Sequence, residues 1–205
     1  QTPNRPLINY FDREALSEGR GVVVARNEDS VSFASNGQVV RPQLLAIVDP
    51  ETRAEVPDGT VGELWCYGAN IAAGYLNRPE ETEETFHNTL VTPLAENSRA
   101  SGAPADAQWL ATGDLAVIVD NEVYITGRLK DLIIIAGRNH YPQDIEYTVA
   151  HASAQIRPAA VAAFAVEGDD VEQLIILAER DLDKVEDDDA DAIAAIRAAV
   201  TEAHG

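Results

Sequence analysis

The stretch TGRLKDLIIIAGRNHYPQDIE, residues 126–146, separates two different hydrophobic patterns. Before it, apolar residues come in short runs bounded by turn residues: GVVVAR (21–26), SVSF (30–33), LLAIVD (44–49) and GELWCYG (62–68). Such runs read as strands, and their spacing predicts a small β-barrel or sandwich. After it, LIII reads as a strand. PQDIEYTVAHA then reads as a helix, because Ile145 and Val149 fall four apart and Asp144 and Glu146 lie near its N-terminus. AAVAAFAV (159–166) and EQLIILAE (172–179) are two further strands, and residues from about Asp187 to His204 form a last helix. Strand, helix, strand, strand, helix is an α+β order. The expected fold is therefore α+β: a β-barrel-like part, residues 1–127, then a small α+β domain, residues 128–205, with the joint near 127–131.

Local signals fill in the first part. NRPEETEETF (77–86) opens a helix, with Pro79 at its start and glutamates in the first turn, where the helix dipole favours them. LAENSRASGAPADAQ (94–108) has little to bury and is expected to be an exposed, disordered loop. LAVIV and EVYIT flank Asp120-Asn121, a two-residue hairpin turn.

Composition excludes several function classes. A formal charge of −20 repels phosphates, so neither nucleic acid nor an anionic membrane is expected as the main partner. The acidic cluster EDDDAD, Glu186 to Asp191, reads as a solvated loop and helix start. A single cysteine, Cys66, rules out a disulfide framework and suits a reducing, cytoplasmic setting. AAVAAFAV falls far short of the ~18 apolar residues that span a bilayer, so no transmembrane segment is expected. His87, His140, His151 and His204 lack metal-ligand spacing, and no metal site is expected. There is no methionine, even at position 1, which suggests a piece of a longer protein with sequence missing at both ends.

Three short motifs carry polar groups suited to a ligand. In TGD (112–114), the carboxylate of Asp114 can accept two hydrogen bonds from a vicinal diol, or it can cap its own backbone in a turn. In GRLKD (127–131), Arg128 offers a planar donor fork for hydroxyls or phosphate, although the motif taken alone favours a solvated strand end. GRN (137–139) either turns Arg138 toward a phosphate or is a polar loop after a strand.

Taken in order, GELWCYGANIAAGYLNRPEETEETF, WLATGDLA and YITGRLKDLIIIAGRNHYPQDIE resemble the adenylate-forming enzymes. IVDPET, PDGTVGELW and GRNHYPQDIE look most like the fatty-acyl-AMP ligases among them, and NHYPQDIEYTVAHAS like those that serve mycolic-acid assembly. The resemblance covers nearly the whole chain. It implies the C-terminal β-rich part of a large adenylation domain, residues 1–127, followed by the small C-terminal domain. It also implies ribose contacts from Asp114 and Arg128, a hinge at Lys130, and an active-site loop of Arg138, Asn139 and His140 that is used in one domain orientation only. ATP and Mg2+ would be the parent enzyme's cofactors. A long-chain fatty acid and an acyl carrier protein or domain of a polyketide synthase would be its partners.

The phosphate-binding loop and the lysine segment P-x-x-x-x-G-K are not in these residues, so no catalytic residue is assigned and the isolated chain is expected to be inactive. Asn139 stands where acyl-CoA synthetases usually carry Arg, and Ala111 where the ligases often do. Two alternatives remain: a piece of an acyl-CoA synthetase, or a non-catalytic β-barrel and α+β interaction module.

Overall fold

The computed structural model describes residues 7–167, 172–184 and 189–205. The chain divides into two compact units, Gln1–Lys130 and Asp131–Gly205.

The first unit contains, in order, β1 (Ile8–Asp12), α1 (Arg13–Ser17), β2 (Val23–Val24), β3 (Ser30–Ala34), β4 (Leu44–Val48), β5 (Gly62–Tyr67), α2 (Pro79–Phe86), β6 (Leu110–Val119) and β7 (Glu122–Arg128). The strands form two open antiparallel sheets, ordered β2-β1-β3 and β4-β5-β6-β7. The composition is mixed α and β, as the sequence implies, but the sheets are not closed into a barrel. They are joined instead by local bonds and one aromatic cluster. Beyond β3, Asn36 N donates to Val123 O at 2.8 Å and Val123 N to Gly37 O at 3.0 Å. Phe11 meets Phe33 and Tyr124 edge-on, with centroids 5.7 and 5.1 Å apart.

Period-two alternation explains the core of the larger sheet. Leu44, Ala46 and Val48 of β4 pack with Trp65 and Trp109 on one side, while Ile47 packs with Leu64, Ala116, Ile118 and Val123 on the other. Asp120 (φ 50°) and Asn121 (φ 67°) make the expected turn between β6 and β7, since both sit in the left-handed region that a type I′ turn demands. The 94–108 segment is a loop exposed over most of its length, as expected, but it is tied down. The buried carboxylate of Glu55 accepts from Leu94 N at 2.9 Å, Ser98 Oγ at 2.6 Å and Arg99 N at 2.6 Å. Ala100 and Ala107 are small enough to pack against the tryptophan core, and both are buried.

A single 3-10 turn, Leu129–Asp131, runs across the division. The second unit then contains β8 (Ile133–Ile135), β9 (Arg138–His140), α3 (Pro142–Ala152), β10 (Ile156–Glu167), β11 (Glu172–Arg180) and α4 (Ala190–His204). β8 pairs with β9 and β10 with β11, both antiparallel. Ile145 and Val149 of α3 share a core with Ile133, Ile156 and Ala163, and Ile196 and Val200 of α4 pack onto it. Pro142 starts α3 because its missing N–H would be unpartnered there in any case. Thr148 Oγ1 lies 2.9 Å from His204 Nε2, which ties α3 to α4. Of the acidic cluster expected at the start of the last helix, residues 186–188 lie outside the described residues.

Candidate functional site

Asp114 and Arg128 are register partners across β6 and β7. Arg128 Nε donates to Asp114 Oδ1 at 3.1 Å. Among the described residues, Oδ2 of Asp114 and the two terminal nitrogens of Arg128 have no other recorded partner. The carboxylate side chain is 30% exposed and the guanidinium 66%, so both can be reached by a ligand.

Two ladder irregularities present this pair. Between β5 and β6, Glu63 faces Leu115 but Trp65 faces Ala111, so two steps on β5 are matched by four on β6. The surplus is the Thr112-Gly113-Asp114 bulge. Between β6 and β7, Leu115 faces Gly127 and Ala116 faces Ile125, which leaves Thr126 as an extra residue on β7. Bulges break pairing and re-aim side chains.

A bulge also loses ladder hydrogen bonds, and two side chains, Glu63 and Thr112, replace them here. Glu63 Oε1 accepts from Gly113 N at 2.9 Å, and Glu63 Oε2 accepts from Trp65 Nε1 at 2.9 Å. Thr112 Oγ1 donates to Leu64 O at 2.8 Å and accepts from Asp114 N at 3.1 Å. Gly113 takes φ +74°, where a Cβ would be strained. The Asp114 carboxylate is therefore not spent on capping its own backbone; the Thr112 hydroxyl does that, and the carboxylate is left for Arg128 and an incoming group.

The other candidate residues occupy separate places. Lys130 is exposed in the 3-10 turn, at the last position of the first unit. Arg138, Asn139 and His140, expected as a loop, form strand β9 of the second unit. Ala136 (φ 52°) and Gly137 (φ 76°) make the tight turn that returns them onto β8, with Asn139 facing Ile134 and His140 facing Ile133. Partial burial of His140, and then the nearby Arg138, hold its imidazole below the ordinary pKa, while Asp144 pulls the other way. Burial pushes the Cys66 thiol up, which suits a packed strand residue rather than a nucleophile. Among the described residues no group of three or more His, Cys, Asp or Glu could hold a metal ion. No described helix is long and apolar enough to cross a membrane.

Glu63 escaped the sequence reading. Its signal was present: a carboxylate two residues before a tryptophan lies on the same strand face, and a buried indole N–H requires an acceptor.

Comparisons with known proteins point to one family. Residues 15–76 match the family model described as AMP-binding enzyme. The long-chain-fatty-acid–AMP ligase FadD32 of Mycolicibacterium smegmatis is 42% identical over an alignment covering 98% of this chain and 35% of that protein. A solved structure from a study of fatty acyl-adenylate ligases of E. coli and L. pneumophila superposes with a TM-score of 0.73 at 27% identity, over 98% of this chain and 32% of that one. A fatty acyl-adenylate ligase from L. pneumophila in complex with acyl adenylate and pyrophosphate superposes with a TM-score of 0.51 at 30% identity, over 98% of this chain and 33% of that one. The chain thus spans about a third of the length of these relatives. On sequence and fold together, the chain is similar to the AMP-binding, adenylate-forming enzymes, and among them to the fatty-acyl-AMP ligases.

Proposed function

We propose that the protein carrying this chain is a fatty-acyl-AMP ligase, and that β6 and β7 supply the ribose grip for its nucleotide. The observation that carries this is the Asp114–Arg128 pair on the TGD bulge, with one carboxylate oxygen and the guanidinium's terminal nitrogens available. A ribose 2′,3′-diol offers two O–H donors to the carboxylate and oxygen acceptors to the guanidinium, so the residues present fit the sugar of ATP. Among the described residues no group of three or more His, Cys, Asp or Glu is placed to hold Mg2+.

In the proposed reaction, an oxygen of the fatty carboxylate attacks the α-phosphorus of ATP. The bond from that phosphorus to the bridging oxygen breaks, and pyrophosphate leaves with the electron pair. The sulfur of a carrier-protein phosphopantetheine then attacks the acyl carbonyl, and AMP departs. The chain's own contribution to both steps is positional. Fixing the ribose holds the α-phosphate and the later acyl-adenylate in one place, which lowers the entropic part of the barrier. Lys130, at the division between units, is the proposed hinge, and Arg138, Asn139 and His140 are the proposed mobile contribution of residues 128–205. The substrate is a long-chain acid, the acceptor a carrier domain of a polyketide synthase in mycolic-acid-type synthesis, and the setting the cytoplasm. The likeness to the long-chain-fatty-acid–AMP ligase FadD32 supports the choice of a long-chain acid.

The test is pyrophosphate exchange by the full-length protein with long-chain acids, followed by acyl transfer to carrier protein and, separately, to CoA. Acid-dependent exchange with transfer to the carrier alone is the expected result. Efficient transfer to CoA would move the protein to the acyl-CoA synthetases, and no exchange with any acid would end the ligase reading.

A further inference from the structure

We infer that Glu63 is a positioning residue for the nucleotide ribose, acting through Gly113 on Asp114; this rests on the ribose role proposed for Asp114. In a regular ladder the Gly113 N–H would donate to a carbonyl of β5. The bulge removes that partner, and Glu63 Oε1 takes its place at 2.9 Å. Glu63 is 7% exposed, and each of its oxygens is engaged, the second by Trp65 Nε1 at 2.9 Å. Trp65 is itself buried in one cluster with Val48 and Trp109, so the carboxylate is anchored to the tryptophan core. A continuous path results, from the tryptophan core through Glu63 to Gly113, whose neighbour Asp114 holds Arg128.

The choice of a carboxylate matters at this position. Hydrogen bonds to a charged acceptor are shorter and stronger than neutral ones, and a glycine at φ +74° has the widest conformational freedom to lose. An amide in place of Glu63 keeps the volume but can accept from only one of the two donors, and its own N–H groups then face the other. Freed at Gly113, the bulge would let Asp114 move by the ångström or so that separates a bidentate diol grip from a loose one.

The experiment compares ATP with 2′,3′-dideoxy-ATP in acid-dependent pyrophosphate exchange by the full-length protein. Asp114→Ala sets the scale and is expected to lose about tenfold or more of the preference for ATP. Glu63→Gln is expected to raise the ATP KM about two- to tenfold, with kcat and the dideoxy-ATP parameters little changed. Adding Glu63→Gln to Asp114→Ala is expected to cost nothing further. Equal losses on both nucleotides, or an unchanged ATP KM, overturn the inference. Should Asp114→Ala keep the preference for ATP, the ribose reading itself fails and takes this one with it. Circular-dichroism melting checks each variant. If Glu63→Gln does not fold, Glu63→Asp, one methylene short with its charge intact, is read in the same assay against the same outcomes.

Discussion

At the scale of single residues, the site is a contest between a carboxylate's own backbone and its ligand. Asp114 is left available because Thr112 satisfies its N–H and Glu63 satisfies that of Gly113. Replacing Asp114 by Ala should cost ATP binding roughly 1.5–3 kcal/mol, the worth of a hydrogen bond to a charged group. Equilibrium binding to the full-length protein measures it, and an unchanged Kd removes Asp114 from the ribose site. Arg128→Lys tests the fork separately: the charge stays but the planar donors go, so part of the affinity should be lost. Asp114 and Arg128 were legible in the sequence as candidates because each carries its chemistry on its side chain and sits in a motif with a resemblance. Glu63 was not, because its effect passes through another residue's backbone, and nothing in GELWCYG says that a bulge lies across the sheet from it.

Elements were legible where their turn chemistry is local. Asp120-Asn121 announced its hairpin, and Pro79 and Pro142 announced their helices, since each residue's φ preference acts on its own position. Arg138–His140 were less legible: a three-residue polar strand has no periodicity to read, and only the left-handed pair Ala136-Gly137 folds it back onto β8. What holds the 94–108 segment escaped for a related reason. Its composition is that of a loop, but its order comes from Glu55, about forty residues away in sequence. Removing that carboxylate leaves the Leu94 and Arg99 amides without their acceptor. Glu55→Ala should therefore destabilise the first unit by about 3 kcal/mol, at 1–3 kcal/mol for each partly or fully buried group left unsatisfied. Limited proteolysis after Arg99 should accelerate along with it. A variant that melts like the parent and resists cleavage equally would show that the segment is held by alanine packing alone.

For the molecule as a whole, the hydrophobic period changes near residue 127, and the chain divides into two compact units between Lys130 and Asp131. Openness of the sheets could not be read, because alternation assigns faces to strands but says nothing of which edges pair. Charge acts at this same scale. The net −20 makes the chain repel itself near neutral pH, so mild acidification relieves repulsion and should by itself stabilise. His140 works against that trend. Its folded pKa lies below the ordinary 6.5, so between those two values the unfolded chain binds the extra proton and the folded one does not. Stability from this residue is thus complete above about pH 6.5 and declines as pH falls toward the lower folded value. His140→Gln removes the term while leaving the rest of the charge in place. Urea midpoints of the chain measured from pH 7.5 to 5.5 should show the parent losing ground to the variant only below about 6.5. The gap should persist in high salt, because it arises mainly from burial of the imidazole, whereas the self-repulsion is screened. Parallel curves across the whole range would mean that the ring is solvated in both protonation states.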